Sequence, residues 1–133
     1  MYAKSMLLLP FLIIAPLILT SPLMAQEVVT PLISKDLAGV SGKEIEMYTV
    51  DFPPSYSSPV HRHNAQVFLY VLEGSIVTQV KGGKEITLMP GQSYYEDPHD
   101  IHTVSRNASN TKPAKFLVFL VKEKGAPSLV LEK

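Results

Sequence analysis

A chain of 133 residues, 46% of them hydrophobic, has the length and apolar content of one compact domain with an ordinary core, and a second domain does not fit. Its 12 basic residues balance 12 acidic ones, so there is no field to steer it toward nucleic acid or an acidic membrane surface. It has no cysteine, which excludes a disulfide framework and thiol redox chemistry and leaves the fold to rest on its core, with any metal as added support.

Residues 1–25 differ in composition from everything after them. Lys4 supplies a short positive start, Met6 to Leu19 form an apolar run broken by Pro10 and Pro16, and Leu23-Met24-Ala25 ends on a small residue. This pattern predicts a secretory signal cleaved after Ala25, a secreted, periplasmic protein, and no stable membrane insertion once the signal is gone. The competing reading is a membrane anchor, but a span needs about 20 predominantly apolar residues and tolerates proline poorly without neighbouring helices. Residues 26–42 read as an N-terminal arm, extended and then looped, ahead of a domain over 43–133.

From residue 43 the apolar residues come in short runs separated by Gly, Pro, Ser and Asn, the rhythm of an all-β domain. "EIEMYTV" alternates, and is expected to turn Ile45, Met47 and Thr49 to one face and Glu44, Glu46 and Tyr48 to the other. "QVFLYVLEG" is continuously apolar, which predicts a strand covered on both sides. In "SIVTQVKGGKEITLMPG" the pair Gly82-Gly83 suits a tight two-residue hairpin, and Pro90-Gly91 the next turn. "QSYYE", "IHTVS" and "KFLVFLVKE" bring the count to between eight and ten strands. A single sheet of that many strands would leave one apolar face bare, so closure into a small barrel or sandwich is expected.

All four histidines lie in two short segments, His61 and His63 in "PVHRHNAQ" and His99 and His102 in "DPHDIHTV". On a strand, residues i and i+2 share a face, so His61 and His63 can present two imidazoles to one point while Arg62 faces away. An HxH pair on a strand is as often a plain polar face. A third imidazole from a neighbouring strand would complete a site for a divalent transition metal.

With these residues in place the sequence resembles the cupin superfamily. The first motif of that family, His-x-His, then Glu, then Gly, has its counterpart in "HRHNAQVFLYVLEG", ending at Gly74; the second, opening on a Pro-Gly turn and reaching a His and then an Asn, in "PGQSYYEDPHDIHTVSRN". The resemblance runs from about residue 43 to 123. It implies a small antiparallel β-barrel or jelly roll, often dimeric, holding one divalent transition metal (Fe, Mn, Cu, Ni or Zn) on His61, His63 and His102.

The pattern is departed from at Val67, where the family usually places the glutamate that serves as fourth ligand. Gln66 would contribute its amide oxygen if the strand bulges; unbulged, it points away from the two histidines. Glu96 is the other candidate, as fourth ligand or as a general base, against the plain alternative of a solvent-facing strand residue. Tyr70, Tyr94 and Tyr95 read as barrel-wall residues, with Tyr70 the candidate for a proton donor inside the cavity. His99 stands where the family has a turn glycine and reads as a turn residue. Asn107 comes one position later than the motif's Asn, and "NAS" at 107–109 matches a glycosylation acceptor. Arg106 is either a solvated residue or an anchor for an anionic ligand at the mouth. A metal on three imidazoles keeps open positions. The resulting expectation is a metal-dependent dioxygenase or lyase acting on a small organic molecule, with a non-catalytic binding or sensor barrel as the alternative.

Overall fold

The computed structural model describes residues 25–133, so the expected signal over 1–25 lies, apart from Ala25, outside the described residues. Ten strands form in chain order: β1 (Val28–Asp36), β2 (Lys43–Phe52), β3 (His61–Arg62), β4 (Ala65–Glu73), β5 (Ile76–Val80), β6 (Ile86–Leu88), β7 (Ser93–Glu96), β8 (Ile101–Asn107), β9 (Ala114–Glu123) and β10 (Val130–Leu131). They make two five-stranded antiparallel sheets, β1-β2-β9-β4-β7 and β10-β3-β8-β5-β6. This is the all-β, jelly-roll architecture that the strand rhythm predicts. The arm is itself mostly strand: β1 pairs with β2 along its length, yet all nine of its residues remain exposed.

The interior is built by alternation. Ala65, Val67, Leu69 and Val71 of β4 and Ala114, Phe116, Val118 and Leu120 of β9 are buried and pack with Val50, Phe52, Ile76 and Leu88. The continuous apolar run of β4 is covered on only one side by this chain. Phe68, Tyr70 and Leu72 stand on the outer face, where the Phe68 ring touches those of Tyr95 and Phe119.

The faces of β2 divide as expected, and it is the Glu44, Glu46, Tyr48 face that turns inward, because the alternation continues into Val50 and Phe52, whose burial fixes the phase of the strand. The two glutamates are tolerated inside because β9 sets Lys122 opposite Glu44. The β5–β6 connection is a five-residue loop over 81–85 and not a two-residue turn, although Gly82 does take the positive φ anticipated, +81°.

The turn at Met89–Gln92 is as expected, with the Gln92 amide donating to Met89 O at 3.0 Å and Gly91 at φ +85°. Gly74, the last residue of the first motif, has a further reason to be glycine. At φ +66°, a Cβ there would sit 2.5 Å from the Pro113 carbonyl oxygen.

Candidate metal centre

His61 and His102 are direct cross-strand partners in the β3–β8 ladder, and His63 follows one step beyond β3 on the same face as His61. All three are buried, His102 to 2% exposure. The rings converge: His61 and His102 stack with centroids 5.3 Å apart, and His63 lies 5.2 Å from the first and 5.9 Å from the second, edge-on to both.

Hydrogen bonds decide which nitrogens face the interior. His61 Nδ1 donates to Pro59 O and His63 Nδ1 to Ser128 O, each at 2.8 Å. A carbonyl can only accept, so both rings carry their proton on Nδ1 and keep an Nε2 lone pair free. His102 Nδ1 lies 3.3 Å from Thr78 Oγ1, and its buried Nε2 has no hydrogen-bond partner.

Glu96 closes the group. It ends β7, it is Cα partner to Val67 of β4, and its carboxyl points inward at 6% exposure. Val67, where the sequence has no carboxylate, thus has one opposite it on the neighbouring strand, in the same layer of the interior. Glu96 Oε2 lies 3.5 Å from both His63 Nε2 and His102 Nε2. That spacing is close to the about 3.4 Å that separates tetrahedral ligands bound at about 2.1 Å to one metal ion. As they stand, no three such side chains among the described residues are closed tightly enough to hold an ion. The fit is therefore one of donor set, spacing and an orphaned ligand nitrogen.

Electrostatics follow from dryness. Burial, with Asp100 adding to it, pushes the Glu96 carboxyl up to about 8. Burial, with the neighbouring imidazoles, pulls His63 and His102 down to about 4. Near neutrality a protonated Glu96 carboxyl thus faces the neutral imidazoles of His63 and His102. A divalent cation would reverse that preference in favour of carboxylate.

The other candidates separate clearly. Gln66 is exposed on the outer face of β4, since no bulge rotates it inward at that point, and Tyr70 is 44% exposed on the same face. Neither reaches the histidines. The tyrosine that does line the interior is Tyr48, whose phenol is pushed up by burial and then by Glu96. Carrying the β2 alternation two residues further, to Val50 and Phe52, would have revealed it. His99 is exposed in the turn, its amide donating to Asp97 Oδ1 at 2.9 Å. Arg106 reaches Glu85 at 3.4 Å and does not line the cavity.

Asn107 is buried, its amide donating to Phe52 O, Pro53 O and Lys112 O. It clamps two loops, and that nitrogen is not open to a glycan.

A chamber of about 80 Å³ adjoins the centre, walled by Val50, Phe52, Val67, Leu69 and Phe116 with Tyr48 and Glu96 inside it. It meets an outer cleft of about 850 Å³ at His61 and Leu129. Among the described residues lining either space there is no lysine or arginine.

The family described as "Cupin domain" matches residues 48–120. Among curated proteins none matches this chain. Several solved structures share its fold. The DMSP lyase DddQ from Ruegeria pomeroyi DSS-3 superposes with a TM-score of 0.65 at 22% identity, covering 86% of this chain and 55% of its own. A cupin-like protein from Thermotoga maritima gives 0.64 at 20%, covering 80% and 75%. An oxalate oxidase in complex with the substrate analogue glycolate gives 0.59 at 23%, covering 79% and 54%. The chain thus spans about half the length of the lyase and of the oxidase.

Proposed function

This chain belongs to the cupin family, and from that premise we propose that it is a metal-dependent enzyme acting on a small organic molecule by proton transfer and bond cleavage, a lyase-type reaction. One observation carries the reading: three imidazoles and the Glu96 carboxyl converge beside a largely apolar chamber that His61, His63 and Glu96 line, with an unpartnered Nε2 on His102 behind them. His61, His63 and His102 would hold the ion through Nε2 and Glu96 through its carboxylate. A divalent transition metal supplies there a Lewis acid that polarises a substrate oxygen.

The chain's own residues do the rest. Backbone carbonyls orient His61 and His63, and Thr78 approaches His102. The apolar wall excludes water and selects a small ligand with an apolar part. Tyr48 faces this space without being a member of the donor set, and its phenol can give or take a proton. This is what favours a lyase over a dioxygenase, which needs no such group.

The test is metal content of untagged protein, beside His63→Ala and His102→Ala variants. The wild type is expected to hold about one ion per chain and each variant less than about a tenth. Elimination product without oxygen uptake supports the lyase reading, and uptake of oxygen replaces it with a dioxygenase. A wild type that stays metal-free after metal is added sinks the metal centre and leaves a binding barrel.

A further inference from the structure

The interior holds one charged group with no place in the chemistry above. Lys122, on the inward face of β9, is almost wholly buried, and its ammonium donates to Glu44 and to Ala126 O at 2.7 Å and pairs with the Glu46 carboxylate at 3.1 Å. Lys122 is buried while Glu44 and Glu46 are half-buried, and burying the ammonium costs desolvation that a packed apolar side chain would not, so stability alone is a poor reason for it. What it holds is the segment after β9. Lys122 fixes Ala126, Glu44 accepts the Gly125 amide at 3.0 Å, and Glu46 accepts the Ser128 hydroxyl at 2.6 Å.

Ser128 is also the residue whose carbonyl accepts the His63 Nδ1 proton. The other two histidines do not depend on this segment. His61 is oriented by Pro59, two residues earlier in the chain, and His102 lies near Thr78 of the adjacent β5. His63 alone takes its partner from a segment 65 residues on, which lies outside the strands and is held on its far side by β10, where Val130 pairs with Arg62 of β3.

We propose that the buried Lys122, Glu44 and Glu46 cluster is a positioning device which, through Ser128, locks His63 in the Nδ1–H tautomer with its Nε2 facing Glu96. Its consequence for metal affinity rests on the metal-centre reading; the tautomer itself does not. Removing the Ser128 hydroxyl frees the segment from Glu46 but leaves the accepting carbonyl in the chain. The carbonyl is then held from the β10 side alone, and His63 exchanges between tautomers. Wherever the proton sits on Nε2, that nitrogen has no lone pair to offer an ion beside Glu96.

The experiment uses the metal-free full chain labelled with ¹⁵N in its imidazoles, at about pH 8 where neutral rings dominate. Wild type is expected to show His63 as the Nδ1–H tautomer alone, Ser128→Ala a mixture of both, and Ser128→Thr, which restores the hydroxyl, the wild-type signal. Backbone amide spectra outside residues 124–129 confirm that each variant is folded. Added zinc is expected to bind Ser128→Ala about tenfold more weakly than wild type. A Ser128→Ala spectrum with His63 unchanged overturns the proposal. A wild type that binds no zinc overturns the metal reading instead, and the tautomer result still decides the device.

Discussion

Val67 and Glu96 face each other across the β4–β7 ladder, and both side chains are buried in the same layer of the interior. Directly opposed residues of an antiparallel pair have Cβ atoms about 5 Å apart, so a carboxylate moved from one to the other can still reach the same imidazoles. Glu96→Val is expected to weaken metal binding by about 10- to 100-fold, the range for losing such a partner. Val67→Glu combined with Glu96→Val should recover affinity to within about tenfold of wild type, because the double variant keeps both charge and layer. Zinc titration of the three proteins decides the matter. An unimpaired Glu96→Val would mean that Glu96 is no ligand, and a double variant no better than the single would mean that the two positions are not equivalent. The residue scale is also where two candidates fell away. Gln66 and Tyr70 share an outward parity, and no bulge rotates β4 between Ala65 and Val71.

The strands show what could be read in advance and what could not. HxH at 61–63 and the neighbourhood of His102 were legible because i, i+2 spacing fixes a face once a strand exists, and the first motif ends on a glycine that backbone sterics demand. The phase of β2 was not, because a window of "EIEMYTV" alone puts glutamates and a tyrosine on one face and apolar residues on the other. Burying Glu44 and Glu46 needs Lys122 across the ladder, some 80 positions away in sequence. Long-range pairing of that kind leaves no local signal, and the Ser128 contact was hidden with it, whereas Tyr48 needed only a window that reaches Val50 and Phe52. Gly74 offers the test at this scale. Gly74→Ala puts its Cβ 2.5 Å from a backbone oxygen, which cannot swing aside as a side chain would. The expected cost is about 2–4 kcal/mol, seen as a lower urea midpoint at unchanged slope. Gly74 lies at the far end of β4, about 30 Å along the strand from His63, so metal bound per folded chain should not change. Wild-type stability in this variant would show that the β4–β5 turn relaxes freely and that the close approach is not a constraint.

Closure of two sheets around a dry interior governs how the whole molecule answers to pH. In the metal-free protein His63 and His102 titrate at about 4, below their unfolded value of 6.5, while Glu96 titrates at about 8, above its unfolded value of 4.5. As pH falls from 6.5 to about 4.5, the unfolded chain takes up two histidine protons that the folded one refuses, and the folded chain keeps one on Glu96 that the unfolded one is only beginning to bind. The unfolded state therefore holds about one proton more, and stability should drop by about 1 kcal/mol per pH unit in that direction. As pH rises from 6.5 toward 8, the unfolded histidines lose their remaining protons and the difference that is left is the proton held by folded Glu96. Stability then falls with rising pH at about half that slope, because Glu96 is itself ionising in this range. The two arms meet in a maximum between pH 6 and 7 on this order-of-magnitude estimate. Metal removes the upper arm, because Glu96 is already ionised when it serves as a ligand, and it adds stability as RT ln(1 + [metal]/Kd), about 2.7 kcal/mol at a hundredfold excess over Kd. Urea unfolding from pH 4.5 to 8.5, with and without zinc, separates these terms. A metal-free curve that climbs steadily to pH 8.5 would mean that Glu96 is already a carboxylate in the folded chain and that the interior is wetter than its packing implies. A maximum that zinc shifts upward ties the titration of Glu96 to the ion it would hold.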